Sequence, residues 1–289
     1  MKVAFIGLGI MGSRMAGHLI ENNVDLTVYN RTTEAAGPLR EKGAKVADTA
    51  TEAVQDADIV FSMLSTPEVV TDVFFGEGKV LQSMKKEALW VDSTTVNPSF
   101  SLQAKEKAEK AGIRFLDAPV SGSKPQAEAA VLLFLAGTDE AGGKEVEPYF
   151  QMMGKKTFYM GKPGQGAAFK MIINMMLAQS VVVFSEAVLL GEKLGISRDF
   201  LLQTLPELVV TPPYMKGKVD AFKTGDYELQ FPLEWMLKDL HLAGLSAYES
   251  GQPLYLANLT KEIFAEAKKA GMGREDLAAV FKYLSERGA

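Results

Sequence analysis

The chain contains no cysteine and only two histidines, His18 and His241, among 289 residues. Without cysteine there is no disulfide, no iron–sulfur ligation and no thiolate nucleophile. Aldehyde-oxidising dehydrogenases that work through a cysteine are therefore excluded. Two histidines also leave too few ligands for a zinc site of the common His/Cys kind. Positive charge is in deficit: 31 Lys and Arg face 36 Asp and Glu, a net charge of −5 with no basic tail, which argues against a nucleic-acid partner. The opening MKVAFIGLG starts directly as a strand and has no cleavable apolar leader, so no secretory targeting is expected and the cytoplasm is the expected compartment. The longest charge-free apolar piece, Met171 to Ser185, is 15 residues and carries Asn174, Gln179 and Ser180. It falls short of the roughly 20 apolar residues a bilayer span requires, so no membrane partner is expected.

What is present is an ordinary globular composition, 47% hydrophobic and 23% charged, in a chain long enough for two domains. Up to about Gly161, short β-branched runs alternate with helical segments. The expected strands are Val3 to Ile6, Leu26 to Tyr29, Ile59 to Met63, Leu89 to Val91, Phe115 to Ala118, Val131 to Ala136 and Thr157 to Met160. Thr51 to Asp56 and Pro98 to Ala111 read as helices between them. This alternation implies a mostly parallel sheet covered on both faces. After Gly166 strand signals vanish. Helices are expected to about Leu194, then over Arg198 to Leu205, Lys216 to Lys223, Leu233 to Ser250, Pro253 to Ala270 and Glu275 to Glu286. The breakers KPGQG mark the boundary.

The first strand runs into Gly7-Leu8-Gly9-Ile10-Met11-Gly12 and then a helix. In that context G-x-G-x-x-G is a dinucleotide-binding turn: the first glycine permits the tight turn, the second admits a pyrophosphate and the third allows close helix packing. The fold class expected is α/β, a Rossmann doubly wound sheet over residues 1–163. A long interdomain helix over 164–194 would join it to an all-helical domain over 195–289, with the site in the cleft between the domains. The second strand ends at Asn30-Arg31-Thr32, where an acid would accept from the ribose 2′-hydroxyl. An amide, a guanidinium and a hydroxyl favour NADP(H) over NAD(H) instead, although Arg31 could also stay in solvent or stack on the adenine.

From Ala167 to Leu190 the only charges are Lys170 and Glu186. Burying an unpaired ammonium costs several kcal/mol, so such a lysine snorkels to water, loses its proton or meets a ligand that favours its charge. Asn174, four residues on, shares its helix face. From the residues alone a site and an interface lysine reaching solvent are equally good readings. Met171, Met175 and Met176 read as packing. The all-round apolar character of this helix requires burial by its own chain or by another subunit, and a homo-oligomer, dimer or tetramer, is expected.

Three motifs in order, GLGIMG at 7 to 12, DAPVSGS at 117 to 123 and GQGAAFKMIIN at 164 to 174, resemble those of the β-hydroxyacid dehydrogenases, and KDLHLA at 238 to 243 fits as well. The resemblance spans nearly the whole chain. SGSKPQAE at 121 to 128 and NRT at 30 to 32 are more similar to the glyoxylate and succinic semialdehyde reductase branch than to 3-hydroxyisobutyrate dehydrogenase. Ala129-Ala130-Val131 departs from the pattern, where the family more often has an acidic or small residue followed by glycine.

The resemblance implies that Lys170 is the catalytic lysine and that Asn174 orients the substrate. The chemistry agrees, since an ammonium can protonate the alkoxide left by hydride addition. Ser121, Gly122 and Ser123 would hold the substrate carboxylate through backbone N–H groups and hydroxyls. Arg14, Arg114, Arg198, Arg274 and Arg287 all sit in segments that read as exposed. Thr95 corresponds to a position beside the nicotinamide ribose, and Ser93 and Thr94 read as caps of the following helix. Met63, Leu64 and Ser65 would floor the cofactor cleft. Lys238 would lie near the cofactor or be a solvated helix lysine, and Phe231, before a proline, would cover the nicotinamide or plug the core. The expected activity is NADPH-dependent reduction of small aldehyde or keto acids, with oxidation of 3-hydroxyisobutyrate or a non-enzymatic NADP-binding module as alternatives.

Overall fold

The computed structural model describes residues 1–78 and 80–287. It separates into two compact units, Met1–Met171 and Ile172–Ala289.

In the first unit six strands, β1 (Lys2–Ile6), β2 (Asp25–Tyr29), β3 (Lys45–Val46), β4 (Ile59–Ser62), β5 (Leu89–Asp92) and β6 (Arg114–Asp117), form an all-parallel sheet in the order β3-β2-β1-β4-β5-β6. This is the doubly wound order, which reverses beside β1. Every residue of β4 and β5 is buried. Helices on both faces explain why those strands read as apolar runs without alternation. On one face Phe5 stacks on Phe61, whose ring meets Phe150 and Tyr149 edge-on, and on the other Trp90 stacks on Phe74 at 4.0 Å.

The expected strands near 131–136 and 157–160 do not extend that sheet. They are β8 (Leu132–Ala136) and β9 (Gly154–Tyr159), which with β7 (Val120–Ser121) make a separate three-stranded sheet. The break falls at Pro119, which has no N–H to continue a ladder; its carbonyl instead accepts from Leu135 N. β3 and β7, two residues each, are too short to give a periodic signal.

No regular strand occurs among the described residues of the second unit. Its helices are Arg198–Thr204, Val219–Thr224, Leu233–Ser250, Tyr255–Lys269 and Val280–Arg287, besides the greater part of the long one. The helix expected from Lys216 starts as a 3₁₀ segment, Pro213–Lys218, behind a Pro-Pro pair. The one expected from Glu275 is interrupted because Asp276 accepts from Ala278 N and caps a short 3₁₀ turn. In the core Phe184 stacks on Phe222, which meets Phe281 at a tilt. Beside it Lys218 and Asp276 form a buried ion pair at 2.8 Å, and the carboxylate also accepts from Phe231 N.

The long helix is Gln165–Lys193, 29 residues with a mean hydropathy of 1.8 over its most apolar window. By length and composition it could cross a membrane, contrary to the expectation from its charge-free core, because the helix runs past Lys170 and Glu186 at both ends of that core. Ala178, Val181, Val182, Phe184 and Val188 nevertheless belong to the packed core of the second unit, as in a soluble protein's central helix. The burial is not all-round. Ile172, Met176, Val183 and Leu190 are 49%, 60%, 54% and 61% exposed and fall on one stripe. Met176 is therefore a surface residue and not core packing, whereas Met171 is buried.

Candidate active site

The glycine-rich loop follows β1, and its three glycines differ in what surrounds them. Gly7 has φ +98°, and a Cβ there would strike the Met63 carbonyl. A Cβ on Gly12 would strike the Gly7 carbonyl, while around Gly9 there is nothing within 4 Å. Turn, helix packing and open approach are thus divided among the three as a bound pyrophosphate requires. The helix that begins at Gly12, Gly12–Glu21, has no side-chain cap and no acid in its first turn, so its positive end is left for an anion. These residues fit a dinucleotide.

Asn30 serves the loop itself. Its Oδ1 accepts from Leu8 N at 2.9 Å and its Nδ2 donates to the Thr32 carbonyl, which locks the end of β2 to the first glycine turn. Arg31 and Thr32 are exposed, and Arg31 has no hydrogen bond or ion pair with any described residue. At the ends of β4 and β5, Thr94 Oγ1 accepts from Leu64 N at 3.0 Å, and Asp92 Oδ1 accepts from Ser62 Oγ and Thr94 N. Thr94 is therefore a brace between strands and not a cap of the helix Pro98–Lys110, whose N-cap residue is Asn97. Ser93 is not a cap either: its Oγ is buried with no hydrogen-bond partner among the described residues. Met63, Leu64, Ser65 and Thr95 are half-buried along the same edge.

Ser121, Gly122 and Ser123 follow β6 after the Ala118-Pro119 turn. Gly122 has φ +131°, and a Cβ there would meet Leu132 and Gln126. Both donors of Ser123, N–H and hydroxyl, go to Gln126 Oε1 at 2.9 Å and start the helix Lys124–Glu128. Ser121 and the Gly122 N–H are the remaining donors of the loop. Arg14, Arg114, Arg198 and Arg274 are committed to Glu128, Glu145, Glu192 and Glu234, and Arg287 lies over the Tyr283 ring.

Lys170 is only 7% exposed, so it does not reach freely into solvent. Asn174, one turn on along the same helix, donates from Nδ2 to Asp239 Oδ2 at 2.5 Å. The other oxygen of Asp239 lies 2.9 Å from Lys238 Nζ, as an ion pair outside hydrogen-bond geometry. Asn174 and Lys238 are thus joined through a buried carboxylate that the sequence reading passed over, since an acid next to a lysine on a helix looks like a surface pair. With Nδ2 held, Asn174 turns a fixed Oδ1 away from Asp239 as an acceptor. Phe231, half-buried against the second unit's core, has its N–H anchored on Asp276.

A second acid missed from sequence is Asp117, the last residue of β6. It is 1% exposed and accepts from Gly164 N at 2.8 Å and Ala167 N at 3.0 Å. Burial raises its pKa to about 6, against the lowering effect of those bonds, and neighbouring Asp92 adds to the rise.

Residues 2–161 match the NAD-binding domain of 6-phosphogluconate dehydrogenase, and residues 164–284 match the NAD-binding model of NADP-dependent 3-hydroxyisobutyrate dehydrogenase. The chain is 36% identical to glyoxylate/succinic semialdehyde reductase 1 of Arabidopsis thaliana over 98% of both proteins. It is 32% identical to the cytokine-like nuclear factor N-PAC of Drosophila melanogaster, over 96% of this chain and 46% of that protein. Among solved structures, 3-hydroxyisobutyrate dehydrogenase of Mycobacterium tuberculosis with L-serine superimposes with a TM-score of 0.86 at 31% identity, over 98% of each chain. With a glycine loop shaped for a dinucleotide and a buried lysine on the long helix, the chain belongs to the β-hydroxyacid dehydrogenase family of oxidoreductases.

Proposed function

We propose that the protein is an NADPH-dependent reductase of small aldehyde and keto acids, with glyoxylate to glycolate and succinic semialdehyde to 4-hydroxybutyrate as its leading reactions. The observation that carries this reading is Lys170, a charged group only 7% exposed on an apolar helix, with an oriented amide one turn away. A charged group held out of water beside an oriented amide is the kind of group that active sites use as an acid or base. A dinucleotide held by the Gly7–Gly12 loop would supply the hydride that the carbonyl carbon receives. Lys170 Nζ gives its proton to the oxygen and offsets the negative charge developing there. Asn174 Oδ1 orients the substrate, and Ser121 with the Gly122 N–H holds the carboxylate, since Arg14, Arg114, Arg198 and Arg274 are committed to carboxylates of the protein. Thr95 stands beside the nicotinamide ribose, and Met63 and Leu64 floor the cofactor cleft. Arg31, unpaired and exposed beside the end of β2, grips the 2′-phosphate, which favours NADPH. Residues 1–163 act as the NADP-binding domain, 164–194 as the connecting helix and 195–289 as the helical domain.

The likeness to the plant reductase supports the aldehyde-acid reading, and the likeness to the mycobacterial enzyme keeps oxidation of 3-hydroxyisobutyrate as the second. The N-PAC likeness keeps a non-enzymatic module as a rival, and Lys170 and Asn174 speak against it, since a module that had lost the chemistry would be expected to have replaced the lysine. The exposed stripe of Ile172, Met176, Val183 and Leu190 is the surface through which we expect a cytoplasmic dimer or tetramer to assemble. Sedimentation at micromolar concentration is expected to find at least a dimer; an active monomer would refute that part. The activity is tested by initial rates of NADPH and NADH oxidation over a panel of aldehyde acids of two to five carbons. Fast turnover of glyoxylate or succinic semialdehyde with NADPH is expected. Turnover of 3-hydroxyisobutyrate alone favours the second reading, and none at all favours the module.

A further inference from the structure

Asp117 is a buried carboxylate whose hydrogen bonds, among the described residues, all come from backbone N–H groups, and it stands where two segments of the proposed site meet. It closes β6, so the chain leaves it directly into the turn that carries Ser121 and Gly122. Its side chain points the other way, to the start of the long helix, where Oδ1 accepts from Gly164 N and Oδ2 from Ala167 N. Those are two of the N–H groups that a helix N-terminus leaves without an internal partner. An N-cap residue normally satisfies one of them from the chain just before the helix. Here the acceptor comes from a strand 47 and 50 residues away and satisfies two.

The packing around this carboxylate leaves little freedom. A Cβ on Gly137 would run into the Asp117 carboxylate, and a Cβ on Gly166 would strike the Leu135 carbonyl and approach Asp117 Oδ2 to 3.0 Å. Gly164 holds φ +80°, a conformation that side chains other than glycine rarely adopt. The Asp117 carbonyl is used as well, accepting from Gly137 N. The glycines of GQG therefore do more than end a loop: they let the helix N-terminus approach the carboxylate. Lys170 follows Ala167 by three residues, about 4.5 Å along a rigid helix.

We propose that Asp117 is the positioning residue for Lys170, its carboxylate fixing the height and rotation of the long helix and so the place of the ammonium relative to the Ser121-Gly122 loop. The proposal rests on Lys170 as proton donor. Its mark is a pH dependence that a lysine acid would not itself produce. A protonated lysine stays protonated as pH falls, so a lysine donor gives no loss of turnover on the acid side. Asp117, once protonated, cannot accept at both oxygens as strongly, and the helix N-terminus loosens. Asp92 is the charged side chain that bears on this carboxylate, from the neighbouring strand; the helix itself presents backbone N–H groups.

Two measurements test this. The first follows the ¹⁵N–¹H resonances of Gly164 and Ala167 in the wild-type protein from pH 8 to pH 5, beside kcat at saturating substrate. We expect both amides to titrate together near pH 6, with kcat falling at the same midpoint. The second compares Asp117→Asn, whose Nδ2 would confront one of the two N–H groups. We expect kcat at pH 8 to drop roughly tenfold or more, as misplacement of a catalytic group does. NADPH affinity should stay within about twofold and the acid-side loss should disappear. Should Asp117→Asn fail to fold, the wild-type titration decides alone, and amides that do not titrate with kcat overturn the proposal. A folded Asp117→Asn with wild-type kcat and pH profile overturns it too. Lys170→Ala separates the two ideas: if it abolishes turnover while Asp117→Asn does not, only the positioning role fails. If Lys170→Ala remains active, the proton-donor reading fails and the proposal with it.

Discussion

The two units bury their charges in different ways. In the first, Asp117 is held by the N–H groups of Gly164 and Ala167 and is crowded by glycine backbone. In the second, Asp276 pairs with Lys218, and Asp239 with Lys238 and Asn174. Backbone dipoles hold an anion without a countercharge, which leaves it titratable near neutrality. An ion pair holds two charges that depend on each other, so that removing either strands its partner. The difference separates a carboxylate that titrates by itself from carboxylates whose charge is tied to a neighbouring cation or amide.

The strongest way to break this comparison is Lys170→Ala. If the buried lysine serves chemistry, kcat should fall at least about a thousandfold, roughly 4 kcal/mol, with thermal stability and NADPH affinity largely kept. Activity within about tenfold of wild type in the folded variant would make it a structural residue. Lys218→Ala should do the reverse. It leaves Asp276 buried without its cation, with both side chains of the native pair under 5% exposed, so unfolding by urea should show a loss of about 3 kcal/mol while kcat of the surviving fold changes little.

The pH dependence of stability sharpens the first half of the comparison. Asp117 has a folded-state pKa raised from 3.8 to about 6. Its contribution to stability is therefore fully present below about pH 4 and is lost as pH rises through about 6, by at most roughly 3 kcal/mol for a shift of two units. Denaturant midpoints from pH 7.5 to pH 4.5 should carry this increment in the wild type and lack it in Asp117→Asn. Equal slopes in the two proteins would remove Asp117 as their cause.

Smaller effects are expected at the surface. If the wild type prefers NADPH as proposed, by about tenfold in kcat/KM, Arg31→Glu should reverse or abolish that preference, as loss of a charge-assisted phosphate contact worth roughly 1.5 to 3 kcal/mol would. Equal efficiency of the wild type with NADH would remove the basis for that expectation. Ala130 holds φ +53° at the position where glycine was expected from the family pattern. Ala130→Gly should relieve that strain and raise stability by about 0.5 to 1 kcal/mol, measurable as a small rise in Tm. A fall in Tm would mean that unfolded-state entropy outweighs the strain.

Local readings were legible because their causes are local. Gly7, Gly9 and Gly12 announce a strand, a tight turn and a helix within six residues, and the change from strand-like to helical texture at KPGQG marks where the long helix starts. Lys170 and Asn174 declare themselves by standing one turn apart in an apolar run. Hydrophobic periodicity also gave the bounds of Leu233–Ser250. It could not say that β8 and β9 leave the main sheet, because strand pairing depends on where Pro119 sends the chain. Nor could it assign partners to Asp117, Asp239 or Asp276, which find theirs 47, 65 and 58 residues away. Chain-local patterns are set by short-range sterics and burial, and these the sequence by itself determined. Which carboxylate meets which amide or ammonium only the tertiary structure decided, since such contacts form once packed elements have excluded water and brought distant residues within hydrogen-bonding reach.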